Sequence, residues 1–155
     1  MTIPSLMPAE KLDQASSFSQ PPLSFPSLSQ RPTQITSEKD FDDVRASADV
    51  VVVDFMARWC RKCIYVKPRI ATLLKDKFPQ VPLAFVDVNA VPAGVVSGAG
   101  VTKMPTVVLY VRGEVYETYV AGESSTAAVL RVEEMVKRGL EEAKKKKKED
   151  EKAKV

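Results

Sequence analysis

Val50-Val51-Val52-Val53-Asp54-Phe55-Met56, followed after a short spacer by Cys60-Arg61-Lys62-Cys63, decides how this chain folds. The first part is a β-branched apolar run of strand length, which reads as a central strand covered on both faces. Beyond it, Ile64, Val66, Ile70, Leu73, Leu74 and Phe78 suggest a long amphipathic helix from about Arg61. Pro68 lies inside that helix as an expected kink, and Pro79 lies beyond its end. Strand, cysteine turn and helix therefore succeed one another directly.

Working outward, Leu83-Ala84-Phe85-Val86-Asp87-Val88 reads as the next strand, and Pro92 to Ser97 as a short helix before Gly98 and Gly100. Thr106 to Val111 and Glu114 to Val120 flank Arg112-Gly113 and alternate as a β-hairpin would. A final helix follows Gly122, capped by Ser124 or Ser125 and carrying Val129, Leu130, Val132, Val136 and Leu140. Upstream, Thr33-Gln34-Ile35 can form a short edge strand. Ser37 is the expected N-cap of a helix that carries Phe41 and Val44, with Asp40, Asp42 and Asp43 in its early turns.

The expected organisation is a domain over 33–142 between two tails. Residues 1–32 are rich in Ser and Pro and read as a disordered leader. The Ser content and sparse acidic residues suit an organelle transit peptide, whereas the sparse basic residues, Lys11 and Arg31, suit a plain extension. Residues 143–155 form a charged tail with a lysine run from Lys144 to Lys148, expected to be a solvated, frayed helical tail that offers nothing to a core. The alternative role for that tail is electrostatic docking to an acidic partner or an anionic membrane.

Composition narrows the chemistry. The formal charge of +3 comes from 23 basic and 20 acidic residues, and no nucleic-acid signature accompanies it. No apolar stretch approaches the roughly 20 residues of a membrane-spanning helix. The chain has no histidine, which removes the commonest general base and metal ligand and every Ser/His or Cys/His arrangement. Its two cysteines supply half of a four-ligand metal site, so redox use of the thiols is the simpler reading, with no cofactor required.

Cys60 should lie at a helix N-terminus, where unpaired N–H groups and the positive dipole end favour a thiolate. The two-residue spacing lets one helical turn bring the sulfurs together, so that Cys63 can attack a mixed disulfide formed by Cys60. Arg61 and Lys62 place two cations between the thiols, where they favour the thiolate or attract acidic targets. Asp54 stands in an otherwise apolar strand. One reading is a buried carboxyl with a raised pKa that exchanges a proton with Cys63; the other is a solvated or locally hydrogen-bonded strand end.

From about Thr33 to Leu140 the chain resembles the thioredoxin family: Val53-Asp54-Phe55, Trp59-Cys60, Cys63, Pro68, Asp87, Met104-Pro105-Thr106, Gly113 and Gly122 fall in family order. More narrowly, Trp59-Cys60-Arg61-Lys62-Cys63-Ile64-Tyr65, Lys67-Pro68, Val86-Asp87-Val88-Asn89 and Lys103-Met104-Pro105-Thr106 look like the plant and algal plastid thioredoxin-like proteins of the WCRKC type. The resemblance implies an α/β thioredoxin fold, a three-layer α/β/α sandwich around a mixed sheet of four to five strands. It implies Cys60 as nucleophile, Cys63 as resolving thiol and Asp54 as proton-transfer carboxylate. It also implies a substrate surface of Trp59, Met104, Pro105 after a cis peptide bond, and Thr106. Disulfide-bearing protein substrates and an upstream thiol reductant are the implied partners, and the plastid stroma the implied location, with the cytoplasm as the alternative.

The chain departs from the typical family pattern in three places. Arg61-Lys62 replaces Gly-Pro, Met56 replaces an additional tryptophan, and Leu83 stands where many members carry a lysine near the buried aspartate. Three rival functions stay open on these residues: an oxidase or isomerase of the same chemistry, a non-catalytic binding module, and a metal or iron–sulfur site shared between two chains.

Overall fold

The computed structural model describes residues 32–154, so the expected leader, apart from Pro32, lies outside the described residues. Five strands form one mixed sheet: β1 (Thr33–Ile35), β2 (Val50–Met56), β3 (Leu83–Asp87), β4 (Thr106–Val111) and β5 (Glu114–Val120). Their spatial order is β1-β3-β2-β4-β5. β1 and β2 run parallel to β3, while β4 runs antiparallel to both β2 and β5. Among the described residues four helices accompany them: α1 (Glu38–Ala46), α2 (Arg61–Lys77), α3 (Ala93–Gly98) and α4 (Ser125–Ala153).

The valine run explains why β2 is central, because its alternate side chains supply both cores. Val51, Val53 and Phe55 pack with Ala84, Val86 and Tyr110 beneath α1 and α3. Val50 and Val52 pack with Leu83, Phe85, Val107 and Leu109 beneath α2 and α4. Each such side chain taken from water contributes about 1.5–3 kcal/mol, which makes this three-layer arrangement the natural outcome for a strand apolar on both faces. The β4–β5 hairpin turns at Arg112 (φ 54°) and Gly113 (φ 84°), the left-handed pair that a two-residue hairpin requires.

The first and last of these helices are capped at their N-termini by side chains. Ser37 accepts a hydrogen bond from the Asp40 N–H at 3.1 Å, and Ser124 accepts one from the Ala127 N–H at 3.2 Å. The choice between Ser124 and Ser125 thus falls to Ser124.

Helix phase departs from the sequence reading in two places. Cys63, Val66, Ile70, Leu73 and Leu74 form the buried face of α2, and Ile64 lies about 100° away from Cys63 around the helix, 58% exposed. In α4 the buried face is Ala128, Val132, Met135, Val136, Gly139 and Ala143, which leaves Leu130 on the opposite side. Gly139 lets α4 lie close on β4, since a Cβ there would stand 2.6 Å from Leu109 Cδ2.

The lysine run is helical. α4 continues without interruption to Ala153, Ala143 packs in the core, and Arg112 pairs with Asp150. Glu117 on β5 accepts from Arg131 and Arg138, and Lys77 reaches Glu133 at 3.0 Å, so the helix is also tied to β5 and α2 by ion pairs. Among the described residues, no helix is long and apolar enough to cross a membrane.

Candidate active site

The strand-to-helix junction after β2 places Cys60 as the N-cap of α2, with extended backbone (φ −85°, ψ 109°). Its sulfur accepts the Cys63 N–H at 3.3 Å, and its own N–H donates to the Ala57 carbonyl at 3.1 Å. The sulfur therefore sits at the end of the helix where free N–H groups and the dipole favour negative charge. Cys60 is 8% exposed and Cys63 is fully buried one turn behind it, both as free thiols. Cys60 thus keeps some contact with solvent, and Cys63 has none.

Burial, first, pushes the Cys63 thiol well above its ordinary value; a hydrogen bond to Cys60 and the charge of Asp54 act in the same direction. A thiol so placed needs a base before it can act as a nucleophile.

Asp54 lies on the α2 side of β2, fully buried, and neither carboxylate oxygen has a hydrogen-bond partner. The solvated strand-end reading does not hold. Burial raises its pKa from 3.8 to about 7, opposed by the Lys67 ammonium. The carboxyl thus changes charge in the range where a thiol must lose its proton.

The residue across from Asp54 on β3 is Phe85; Leu83 pairs with Val52. Leu83, the position expected near the aspartate from the resemblance, thus stands two residues before Phe85 on β3. Nor is Asp54 left without a cation. Lys67, one helical turn below Cys63 on α2, lays its ammonium 4.4 Å from the centroid of the Phe85 ring, over the same face of the sheet. Sequence reasoning quoted Lys67 only as part of a motif; its helical spacing from Cys63 was the available signal.

Met104 packs against Ala57, Cys60 and Cys63, and the peptide bond between Met104 and Pro105 is cis. The Thr106 hydroxyl donates to the Lys103 carbonyl at 2.6 Å, which fixes the turn that carries Met104 beside the thiols. Trp59 stands 70% exposed next to Cys60. Lys62 donates to the Gly122 carbonyl, and Arg61 is exposed at the start of α2. A further contact was not read from sequence: Arg58 reaches the buried Asp87 at 3.1 Å and ties the loop before Cys60 to the end of β3.

Among the described residues no three His, Cys, Asp or Glu side chains converge as a metal site would require. What this arrangement can do chemically is thiol–disulfide exchange, with one slightly exposed sulfur, one buried sulfur and a buried carboxyl on the same side of the sheet as α2.

The thioredoxin family pattern matches residues 32–134. The chloroplastic thioredoxin-like 3-2 protein of Arabidopsis thaliana is 42% identical over 106 residues, covering 66% of this chain and 55% of that protein. The chloroplastic thioredoxin-like 3-1 protein of the same plant is 33% identical over 92 residues, covering 59% and 44%. The chain thus spans about half the length of these curated relatives. Among solved structures, a mutant thioredoxin from Halobacterium salinarum superposes with a TM-score of 0.59 at 30% identity, covering 68% of this chain and 91% of that one. The match across sheet, helices and cysteine turn leaves one assignment: this chain belongs to the thioredoxin family.

Proposed function

We propose that the protein is a thiol–disulfide oxidoreductase that reduces protein disulfides through Cys60 and Cys63. The observation that carries this is the pairing of a reachable N-cap sulfur with a buried thiol and a partnerless buried carboxyl behind it. The Cys60 thiolate attacks one sulfur of the substrate disulfide, breaking that bond, forming a mixed disulfide and releasing one substrate thiolate. Asp54 takes the Cys63 proton, and the Cys63 thiolate attacks Cys60 Sγ. The mixed disulfide breaks, the second substrate thiolate leaves and takes up a proton, and the chain now holds the two-electron-oxidised Cys60–Cys63 disulfide. An upstream thiol reductant restores the dithiol.

In this reading the Met104 backbone, Pro105 and Thr106 present an edge to an extended substrate segment, and Trp59 packs against it. Arg61 and Lys62 replace the more usual residues between the thiols and bias the couple toward the thiolate. The WCRKC-type subgroup and a plastid stromal location are part of the proposal, supported by the motif residues and by relatives named chloroplastic. Residues 1–32 serve there as the targeting segment and 33–142 as the catalytic unit.

Cys63→Ser tests the mechanism. It should accumulate mixed disulfides through Cys60 under oxidising challenge, resolved by mass spectrometry, and Cys60→Ser should accumulate none. If the two variants trap partners equally, or neither does, the nucleophile assignment is wrong.

A further inference from the structure

We propose that the face around Cys60 selects disulfides flanked by acidic residues, an inference that rests on the oxidoreductase reading above and names its substrate class. Three segments form that face. The 57–62 loop holds the thiols, Met104 brings the 102–105 turn against them, and the 121–123 loop is joined to both. The Ala121 N–H donates to the Pro105 carbonyl at 2.9 Å, and Lys62 donates to the Gly122 carbonyl.

The exposed charges on these segments are mostly positive. Arg58, Arg61, Lys62 and Lys103 are all exposed, against Glu123 as their single exposed carboxylate. The nearby Asp87 is buried and already engaged by Arg58, so it does not present its charge to an incoming chain. Beside the cations, Trp59, Ile64 and Tyr65 expose most of their apolar surface, 70%, 58% and 65%. Apolar side chains exposed within a cationic rim fit a partner segment that is apolar near its disulfide and carries Asp or Glu within a few residues of it. A segment carrying Lys or Arg would meet the net positive charge of this face, a repulsion that salt weakens as the screening length falls to roughly 10 Å at 0.1 M.

The test uses the full chain, pre-reduced and freed of reductant, in single turnover. Two peptides share one intramolecular disulfide and differ only in flanks of Glu or Lys, and bis(2-hydroxyethyl) disulfide serves as a neutral third substrate. At about 20 mM salt the Glu peptide should be reduced at least about tenfold faster than the Lys peptide, a ratio falling to about twofold or less near 300 mM. Lys103→Glu should lower the low-salt ratio about threefold or more. Equal rates for the two peptides with normal turnover of the neutral disulfide overturn the acidic preference and leave the oxidoreductase reading standing. A preference unchanged by salt overturns the electrostatic origin and with it the proposal. No reduction of any of the three overturns both.

Discussion

Asp54 faces Phe85 across the boundary between β2 and β3, and that phenyl ring carries the Lys67 ammonium 4.4 Å from its centroid. A buried carboxyl that has no hydrogen bond within the protein is thus held in reach of a cation delivered by the same helix that carries Cys63. Burial keeps the carboxyl protonated at mildly acidic pH, and Lys67 restrains that effect so that ionisation falls near neutrality.

Replacing Asp54 with Asn should stabilise the protein in a pH-dependent way. The folded state holds the Asp54 proton up to about pH 7, whereas the unfolded chain releases it near 3.8. The resulting penalty is absent below about pH 4, grows as pH rises, and is complete above about pH 7, reaching up to about 4 kcal/mol. Urea unfolding of Asp54→Asn and the parent should therefore diverge by about 2–4 kcal/mol at pH 8 and converge near pH 4. The same variant should slow resolution of the mixed disulfide.

Removing the Lys67 cation should move Asp54 in the opposite sense. Lys67→Met takes away the charge that lowers the Asp54 pKa, so the pKa rises further and less carboxylate is present at pH 7. The pH profile of mixed-disulfide resolution should shift to higher pH, and Lys67→Arg should restore it. Loss of the contact with Phe85 should cost about 0.5–1 kcal/mol of stability.

Gly139→Ala should weaken the fold although alanine is the better helix former. The new Cβ would lie 2.6 Å from Leu109 Cδ2 and 3.5 Å from Val111 Cγ2, both in the fully packed sheet. Overpacking of about 1–3 kcal/mol exceeds the helix gain of about 1 kcal/mol. Urea midpoints should show a net loss of about 1 kcal/mol with an unchanged rate of Cys60 alkylation.

The phase of α4 separates two neighbouring apolar residues. Val132→Ala removes a fully buried side chain and should cost about 2 kcal/mol, whereas Leu130→Ala, on the exposed side, should stay within about 0.5 kcal/mol. Thermal or urea unfolding of the two variants checks it.

Local signals were the ones legible in the sequence. The four valines of β2, the serine cap at Ser37, one of the two serines offered as cap of α4, the Arg112-Gly113 turn and the spacing of Cys60 and Cys63 each act through neighbours in the chain, and each is present. Long-range features were not. Ile64 and Leu130 look like core residues by composition, but the partner surfaces fix the rotation of their helices and turn them outward. The pairing of Asp54 with Phe85 instead of Leu83 depends on the β2–β3 register, which is set by packing across the whole sheet. The contribution of Lys67 follows from that register and from the crossing of α2 over β3; its one-turn spacing from Cys63 marks the helix face but not the strand residue it meets. The lysine run reads as a frayed helical tail, and its helix is present, but charge alone does not reveal its anchoring: Ala143 in the core and the Arg112–Asp150 pair hold it to the domain.

The most direct test of the account is a redox titration of the purified protein, scoring the Cys60 and Cys63 thiols by alkylation mass shift across poised dithiol buffers. The expected result is one reversible two-electron transition between free dithiol and Cys60–Cys63 disulfide, near the roughly −270 mV of thioredoxin if the protein is a reductase. A midpoint above about −200 mV would assign it to oxidation or isomerisation instead. Failure of the two cysteines to form a reversible disulfide at any potential would contradict the catalytic reading and leave the fold as a binding module.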